Sequence, residues 1–112
     1  MTVSPGFRDY VLEQLGRVSP VTAKSMFGGV GIYSARRIFG LIDDDILYFK
    51  VNDANRPDFE RAGMRPFQPW PGHVMAGYWE LPVEVLEDVD RLRAWMDGAL
   101  AAGAAKRKGK SK

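Results

Sequence analysis

The spacing of apolar residues predicts a helix at the start of the chain. Ser4 suits a helix N-cap, and Pro5 suits the first helical position, where a missing N–H is harmless. The apolar positions that follow recur at helical intervals: Phe7, Tyr10, Val11, Leu15 and Val18. We therefore expect an amphipathic helix over about residues 5 to 17, before Ser19 and Pro20 break the pattern.

From Val21 to Val51 the pattern changes to β-branched and aromatic residues punctuated by glycine, which predicts antiparallel strands. Gly28 and Gly29 suit a tight turn that needs positive φ. Asp43 to Asp45 suit a polar three-residue hairpin loop. Apolar residues on both faces of the last two strands place those strands centrally. The predicted strands are 22–27, 30–34, 38–42 and 46–51.

The second half of the chain predicts a helix over about residues 52 to 62, with Asn55 as an alternative start and Gly63 as its end, and a strand over 74–81. Between them the proline-rich stretch 65–72 is expected to be extended and irregular. Asp88 is expected to cap a last helix that runs through about Ala102, after a possible helical turn over residues 82–86. The order helix, strand meander, helix, strand, helix predicts an α+β domain in which helices flank an antiparallel sheet of about five strands.

Composition narrows the functional classes. The 112 residues, 46% of them hydrophobic, suffice for one domain with its own core. The absence of cysteine excludes disulfides and thiolate chemistry, and a reducing compartment is expected. No apolar stretch approaches the about 20 residues that span a bilayer, and the first residues lack the pattern of a signal peptide. We expect a cytoplasmic protein.

The net charge of +2 depends on the C-terminus. Without the five basic residues at the C-terminus, the chain contains eleven basic and fourteen acidic side chains. It therefore lacks the basic excess of a nucleic-acid-binding fold. We expect a domain over residues 1–103 and a disordered basic tail over 104–112. This tail either binds nucleic acid without sequence preference or serves only solubility. Its five basic residues are Lys106, Arg107, Lys108, Lys110 and Lys112.

No catalytic, cofactor-binding or metal-binding residue is predicted. The glycines of residues 26–31 lack the Gly-Lys-Ser/Thr continuation of a phosphate loop, so a hairpin turn explains them better. Asp43 to Asp45 lack the further spaced ligands of a calcium loop. His73 has no cysteine to activate and no serine in a nucleophile-elbow motif. We expect a protein that is not an enzyme, and a deep pocket with converging ionisable groups would revive the enzyme hypothesis.

The aromatic residues divide into two sets. Trp79 and Trp95 follow the apolar pattern of a strand and a helix, and core packing explains both. Phe67 and Trp70 alternate with prolines in the segment expected to be irregular. We therefore expect Phe67 and Trp70 to be an exposed pair that marks a partner surface.

Four motifs in one order resemble the TfoX (Sxy) N-terminal domain family. They are MFGGVGIY at 26–33, DDILYFK at 44–50, NRPDF at 55–59 followed by GMRPF at 63–67, and YWELP at 78–82. The resemblance covers about residues 7 to 97 and implies an α+β fold with a sheet flanked by helices. For the two-domain members it implies a regulator of natural competence that acts with the cyclic-AMP receptor protein. It implies no catalytic or cofactor residues.

The resemblance, together with the aromatic pair, points to a candidate interaction surface. Packing explains four polar positions of the motifs least well, and we add the aromatic pair to them: Lys24, Lys50, Asn55, Arg56, Phe67 and Trp70. The leading hypothesis is a non-enzymatic regulatory or protein-interaction domain, with the transcription machinery among its expected partners. The alternative is direct DNA binding through the tail. A monomer and a homodimer both stay open.

Overall fold

The computed structural model describes residues 3–26 and 28–110, with side chains up to residue 103. Runs of strands and helices follow one another in an order typical of an α+β domain. Their bounds are α1 Pro5–Gly16, β1 Thr22–Met26, β2 Gly29–Ser34, β3 Arg37–Asp43, β4 Ile46–Lys50, α2 Arg56–Arg61, β5 Pro66–Trp70, β6 His73–Glu80, α3 Val83–Leu86 and α4 Val89–Lys110.

The described strands form one antiparallel sheet in the order β1-β2-β3-β4-β6-β5, with β3 and β4 central as predicted. The sheet has six strands instead of about five because the proline-rich stretch forms β5. Pro66 and Pro69 are compatible with this position because β5 lies at an edge, where one row of N–H groups needs no partner. The register of β5 against β6 shifts between Phe67 and Trp70, so this segment is an irregular strand and the expected irregularity is confirmed in part.

The two hairpin turns differ from their predictions in detail. Gly28 has the expected positive φ of 82°, whereas Gly29 already belongs to β2. The predicted end of the first strand at Phe27 lies outside the described residues. Asp43 pairs with Ile46 as the last residue of β3, so the expected three-residue loop has only two residues, Asp44 and Asp45. Both have positive φ, the geometry whose twist suits a tight hairpin.

The helices pack on one face of the sheet around the main core. Ser4 Oγ accepts a hydrogen bond from Phe7 N at 3.4 Å at the start of α1, and Asp88 Oδ1 accepts one from Asp90 N at 3.1 Å at the start of α4. Both predicted caps are therefore confirmed. Trp79 and Trp95 pack, partly buried, against the core, as expected. The largest fully buried side chains come from strands and helices alike: Phe39, Phe49, Phe59, Leu92 and Met96.

The last helix is longer than expected. The structure continues α4 to Lys110, past the predicted end at Ala102. The disordered basic tail over residues 104–112 stays a prediction. Alanine and lysine are strong helix formers, and no proline interrupts them. The role of the basic residues stays a prediction, since their side chains lie outside the described part. No helix among the described residues is long and apolar enough to cross a bilayer.

Candidate binding pocket on the open face of the sheet

The sheet face opposite the helices, here the open face, carries a second and smaller apolar cluster built from strand residues. Leu41, Phe67 and Tyr78 are buried there, and Tyr48 packs against them. The Tyr48 and Phe67 ring centroids lie 4.6 Å apart. Side chains alternate between the two faces of a strand, so β3 sends Ile42 to the helix-covered core and its neighbour Leu41 to the open face.

A pocket of about 590 Å³ lies on this face, between β1 to β3 and the hairpin of β5 and β6. This volume is typical of sites for small molecules, which measure about 300 to 1,000 Å³. Its wall is apolar and aromatic apart from one carboxyl group. The side chains that matter below are Met26, Tyr33, Asp43, Trp70, Met75 and Tyr78.

Gly31 helps to shape the pocket wall. A Cβ at this position would lie 2.5 Å from Met26 Sδ, and 3.2 Å from both Ile38 Cδ1 and Tyr33 Cε1. All three neighbours line the pocket, so the missing side chain lets them converge over β2. From the sequence, Gly31 was grouped with the turn glycines. The signal that could have distinguished Gly31 from the turn glycines is its position two residues before Tyr33 in β2, which places both on the same face of the sheet.

Phe67 and Trp70 were expected to be exposed together, but the structure buries Phe67 and leaves Trp70 exposed. Phe67 is only 7% exposed, because β5 turns its side chain into the Leu41 cluster. The expectation for Phe67 is therefore wrong. Trp70 is 60% exposed at the pocket rim, and its ring stacks on His73 with centroids 4.6 Å apart and an interplanar angle of 14°.

Asp43 is the one carboxyl group in the pocket wall. The residue is 9% exposed, and its Oδ1 atom has no hydrogen-bond partner among the described residues. Burial raises the pKa of the Asp43 carboxyl, and the negative charge of Asp44 adds to this rise. From the sequence, Asp43 is expected in a polar hairpin loop, and the structure places it in the pocket wall instead. The sequence signal for this position is that Asp43 lies two residues after Leu41, so both side chains are on the same face of β3.

Two of the predicted lysines lie beside aromatic rings of the pocket wall. Lys24 Nζ is 5.6 Å from the centroid of the Tyr33 ring, and Lys50 Nζ is 4.9 Å from that of Tyr78. Both distances are within the reach of cation–π attraction. Lys24, Lys50, Phe67 and Trp70 therefore all lie on the open face of the sheet.

The tyrosines of the open face lie in an environment that disfavours negative charge. Burial, followed by the charges of Glu80 and Asp43, raises the pKa of Tyr48 to about 12. Burial also raises the pKa of Tyr78. An anion buried among these rings would meet the same penalties, whereas a cation buried there would be attracted by the carboxylates that cause part of them.

Asn55 and Arg56 lie elsewhere, at the start of α2, and local structure explains both. Asn55 is buried; its Nδ2 donates to Lys50 O at 3.1 Å, and its Oδ1 accepts from Asn52 N at 2.8 Å. Arg56 forms ion pairs with Asp53 at 2.9 Å and Glu60 at 3.8 Å. Neither Asn55 nor Arg56 lines the pocket, although Asn55 contacts the backbone of Lys50.

No described group of three or more histidine, aspartate or glutamate side chains is placed to hold a metal ion. The aspartates of the hairpin have other environments. Asp43 turns into the pocket wall, while Asp45 Oδ1 accepts a hydrogen bond from Ser4 N at 2.7 Å. The predicted polar loop therefore also holds the start of α1 beside the sheet, through this hydrogen bond.

A six-stranded antiparallel sheet, with helices packed on one face and an apolar pocket on the other, defines a small α+β domain with a site suited to binding. The family model of the TfoX N-terminal domain matches residues 13–103, most of the chain. The chain belongs to the TfoX N-terminal domain family, as its four motifs implied. The match includes every strand of the sheet and the whole pocket wall. A search of curated proteins finds no match.

Proposed function

We propose that the protein is a non-enzymatic regulatory domain that binds another protein through its open face. The observation that carries the proposal is the apolar pocket, at whose rim the large side chains of Trp70 and Met75 are exposed. Contiguous apolar surface of this kind is typical of recognition sites. Tryptophan is also enriched among the residues that contribute most of the binding energy at protein interfaces, which makes Trp70 a strong candidate for such a contact.

The charges beside the pocket indicate the chemistry of the partner. Lys24 and Lys50 lie against rings of its wall, so acidic residues of a partner segment would meet cations there. We propose a segment with an apolar side chain that packs on Trp70 and Met75 and with carboxylates on either side. Resemblance to the competence regulators makes the transcription machinery the first place to search for this partner.

The composition of the wall favours binding over catalysis. Acid–base and nucleophilic mechanisms need several ionisable groups that converge on a substrate. Asp43 is the one carboxyl group that lines the pocket, and the neighbouring His73 ring is stacked on Trp70. Membership of the TfoX N-terminal domain family also supports a non-enzymatic role.

Retention of partner proteins on the immobilised chain tests the proposal. The double variant Trp70→Ala/Met75→Ala removes the exposed rim, and Val83→Ala is the matched control because Val83 is 61% exposed on α3, away from the pocket. We expect a partner retained by the wild type and the control and reduced at least about tenfold by the double variant. Circular dichroism checks that each variant folds.

The charge complementarity has its own test. Lys24→Glu/Lys50→Glu should weaken retention of the same partner, and the loss should shrink at high salt because screening removes the repulsion. A partner retained equally by the wild type and the rim variant would contradict the proposal. So would the failure of any protein to distinguish the wild type from that variant.

A further inference from the structure

The Asp43 carboxylate in the pocket wall is only partly satisfied: it accepts a hydrogen bond from the Asp44 backbone, while its Oδ1 atom is left over. Most buried polar atoms have a hydrogen-bond partner, and a buried oxygen atom left without one costs free energy. Asp43 Oδ1 has none among the described residues, and Asp43 is the one charged side chain that lines the pocket. A hydrogen-bond donor or a cation bound in the pocket would satisfy this oxygen.

The rest of the wall favours a cation. Aromatic ring faces attract ammonium groups, and Tyr33, Trp70 and Tyr78 all contribute to the lining. Lysine ammonium groups already lie near the Tyr33 and Tyr78 rings, at distances consistent with cation–π attraction. Negative charge, by contrast, would meet Asp43 and the carboxylates around Tyr48.

We infer that this pocket binds a small organic ammonium compound, with its cationic nitrogen paired to Asp43 and its apolar body against the aromatic wall. Asp43 supplies a charge-assisted hydrogen bond, and Leu41 and Phe67 form part of the apolar surface that receives the body. The volume of about 590 Å³ suits a ring-bearing molecule better than an unbranched lysine stem.

Lys24 and Lys50 do not oppose this ligand. Neither residue lines the pocket, and the two ammonium groups lie 5.6 Å and 4.9 Å from the centroids of the Tyr33 and Tyr78 rings. Salt screens the repulsion from charges that lie outside the pocket, whereas a desolvated ion pair at Asp43 is screened far less. The inference goes beyond the proposed function, because it requires no protein partner.

Titration of the purified, ¹⁵N-labelled full chain tests the inference. The probes share one ring and differ in charge: benzylamine, benzyl alcohol and benzoate. We expect amide shift changes confined to the pocket wall and a preference for benzylamine over benzyl alcohol of about tenfold, as a charge-assisted hydrogen bond supplies. Benzoate should bind most weakly.

Matched variants locate the charge that matters. Asp43→Asn should lower benzylamine affinity about tenfold and change benzyl alcohol affinity little, because it keeps the shape and removes the charge. Asp44→Asn is the control, since Asp44 neighbours Asp43 but does not line the pocket. It should retain benzylamine affinity. Benzylamine selectivity in the wild type gives an answer that needs no variant to fold.

The inference is overturned if benzylamine binds no better than benzyl alcohol, if Asp43→Asn binds it as the wild type does, or if no probe shifts the pocket amides. Tighter binding of Nα-acetyl-lysine methylamide than of benzylamine would also overturn it, by pointing to a lysine of a protein partner. Each result leaves the partner-retention experiment unaffected, because that experiment depends on Trp70 and Met75.

Discussion

Asn55 and Arg56 were both predicted to belong to the interaction surface, yet the structure gives them local roles of very different weight. Asn55 joins the end of β4 to the start of α2 through two hydrogen bonds to backbone atoms. Replacement by alanine leaves Lys50 O and Asn52 N without these partners. We therefore expect Asn55→Ala to lower the free energy of unfolding, with no direct effect on the pocket.

The magnitude follows from the two lost bonds. An unsatisfied buried polar group costs about 1 to 3 kcal/mol, and partial access to water places these two near the low end, so about 2 to 4 kcal/mol in total is expected. For a domain of this size that corresponds to a fall in Tm of roughly 8 to 16 °C. Arg56→Ala removes only exposed ion pairs and should cost less than about 1 kcal/mol.

Urea unfolding followed by circular dichroism measures both variants against the wild type. The slope of free energy against urea should stay constant, so that the shift in midpoint reports stability alone. Equal losses for Asn55→Ala and Arg56→Ala would refute the reasoning, because exposed ion pairs cannot match two buried hydrogen bonds. A strong loss of partner retention by folded Asn55→Ala would show that Asn55 belongs to the binding surface after all.

Three further outcomes are expected. Asp43 has a pKa raised in the folded state, so it stabilises the fold below its ordinary pKa of 3.8, and this contribution disappears as pH rises through the raised value. The Tm of Asp43→Asn relative to wild type should therefore rise across that window, and a pH-independent difference would contradict the burial argument. Gly31→Ala should displace Met26 at a cost of about 1 to 3 kcal/mol, measured by urea unfolding; an unchanged midpoint would count against the close approach. If the tail binds DNA, the logarithm of the wild-type affinity should fall with the logarithm of the salt concentration at a slope of up to about −4.5, and removing residues 104–112 should abolish binding. Unchanged binding after the truncation rejects the tail mechanism.

The parts of the fold that the sequence could predict are those where local signals agree. Ser4 and Asp88 are capping residues before apolar repeats, and α1 and α4 begin as expected. Residues 46–51 are apolar on both faces, and β4 is central. In each case the chemistry of neighbouring residues determines the local conformation.

The parts that could not be predicted depend on contacts between distant segments. Prolines suggested an irregular segment where β5 forms, because only the edge position makes them acceptable in a sheet. Phe67 becomes buried only when β5 lies beside β6 and over Leu41. Asp43 differs from Asp44 only in being the last paired residue of β3, a one-residue difference in loop length that moves a carboxylate from solvent into the pocket wall.

Hydrogen exchange of the chain, alone and in complex with the protein it retains, most directly locates the surface that the protein uses. If the open face performs recognition, amides of the β5 and β6 hairpin near Trp70 and Met75 should exchange more slowly in the complex, while those of α1 should not change. Protection confined to α1 and α4, with the hairpin unaffected, would show that the helix-covered side makes the contact and that the pocket has another purpose.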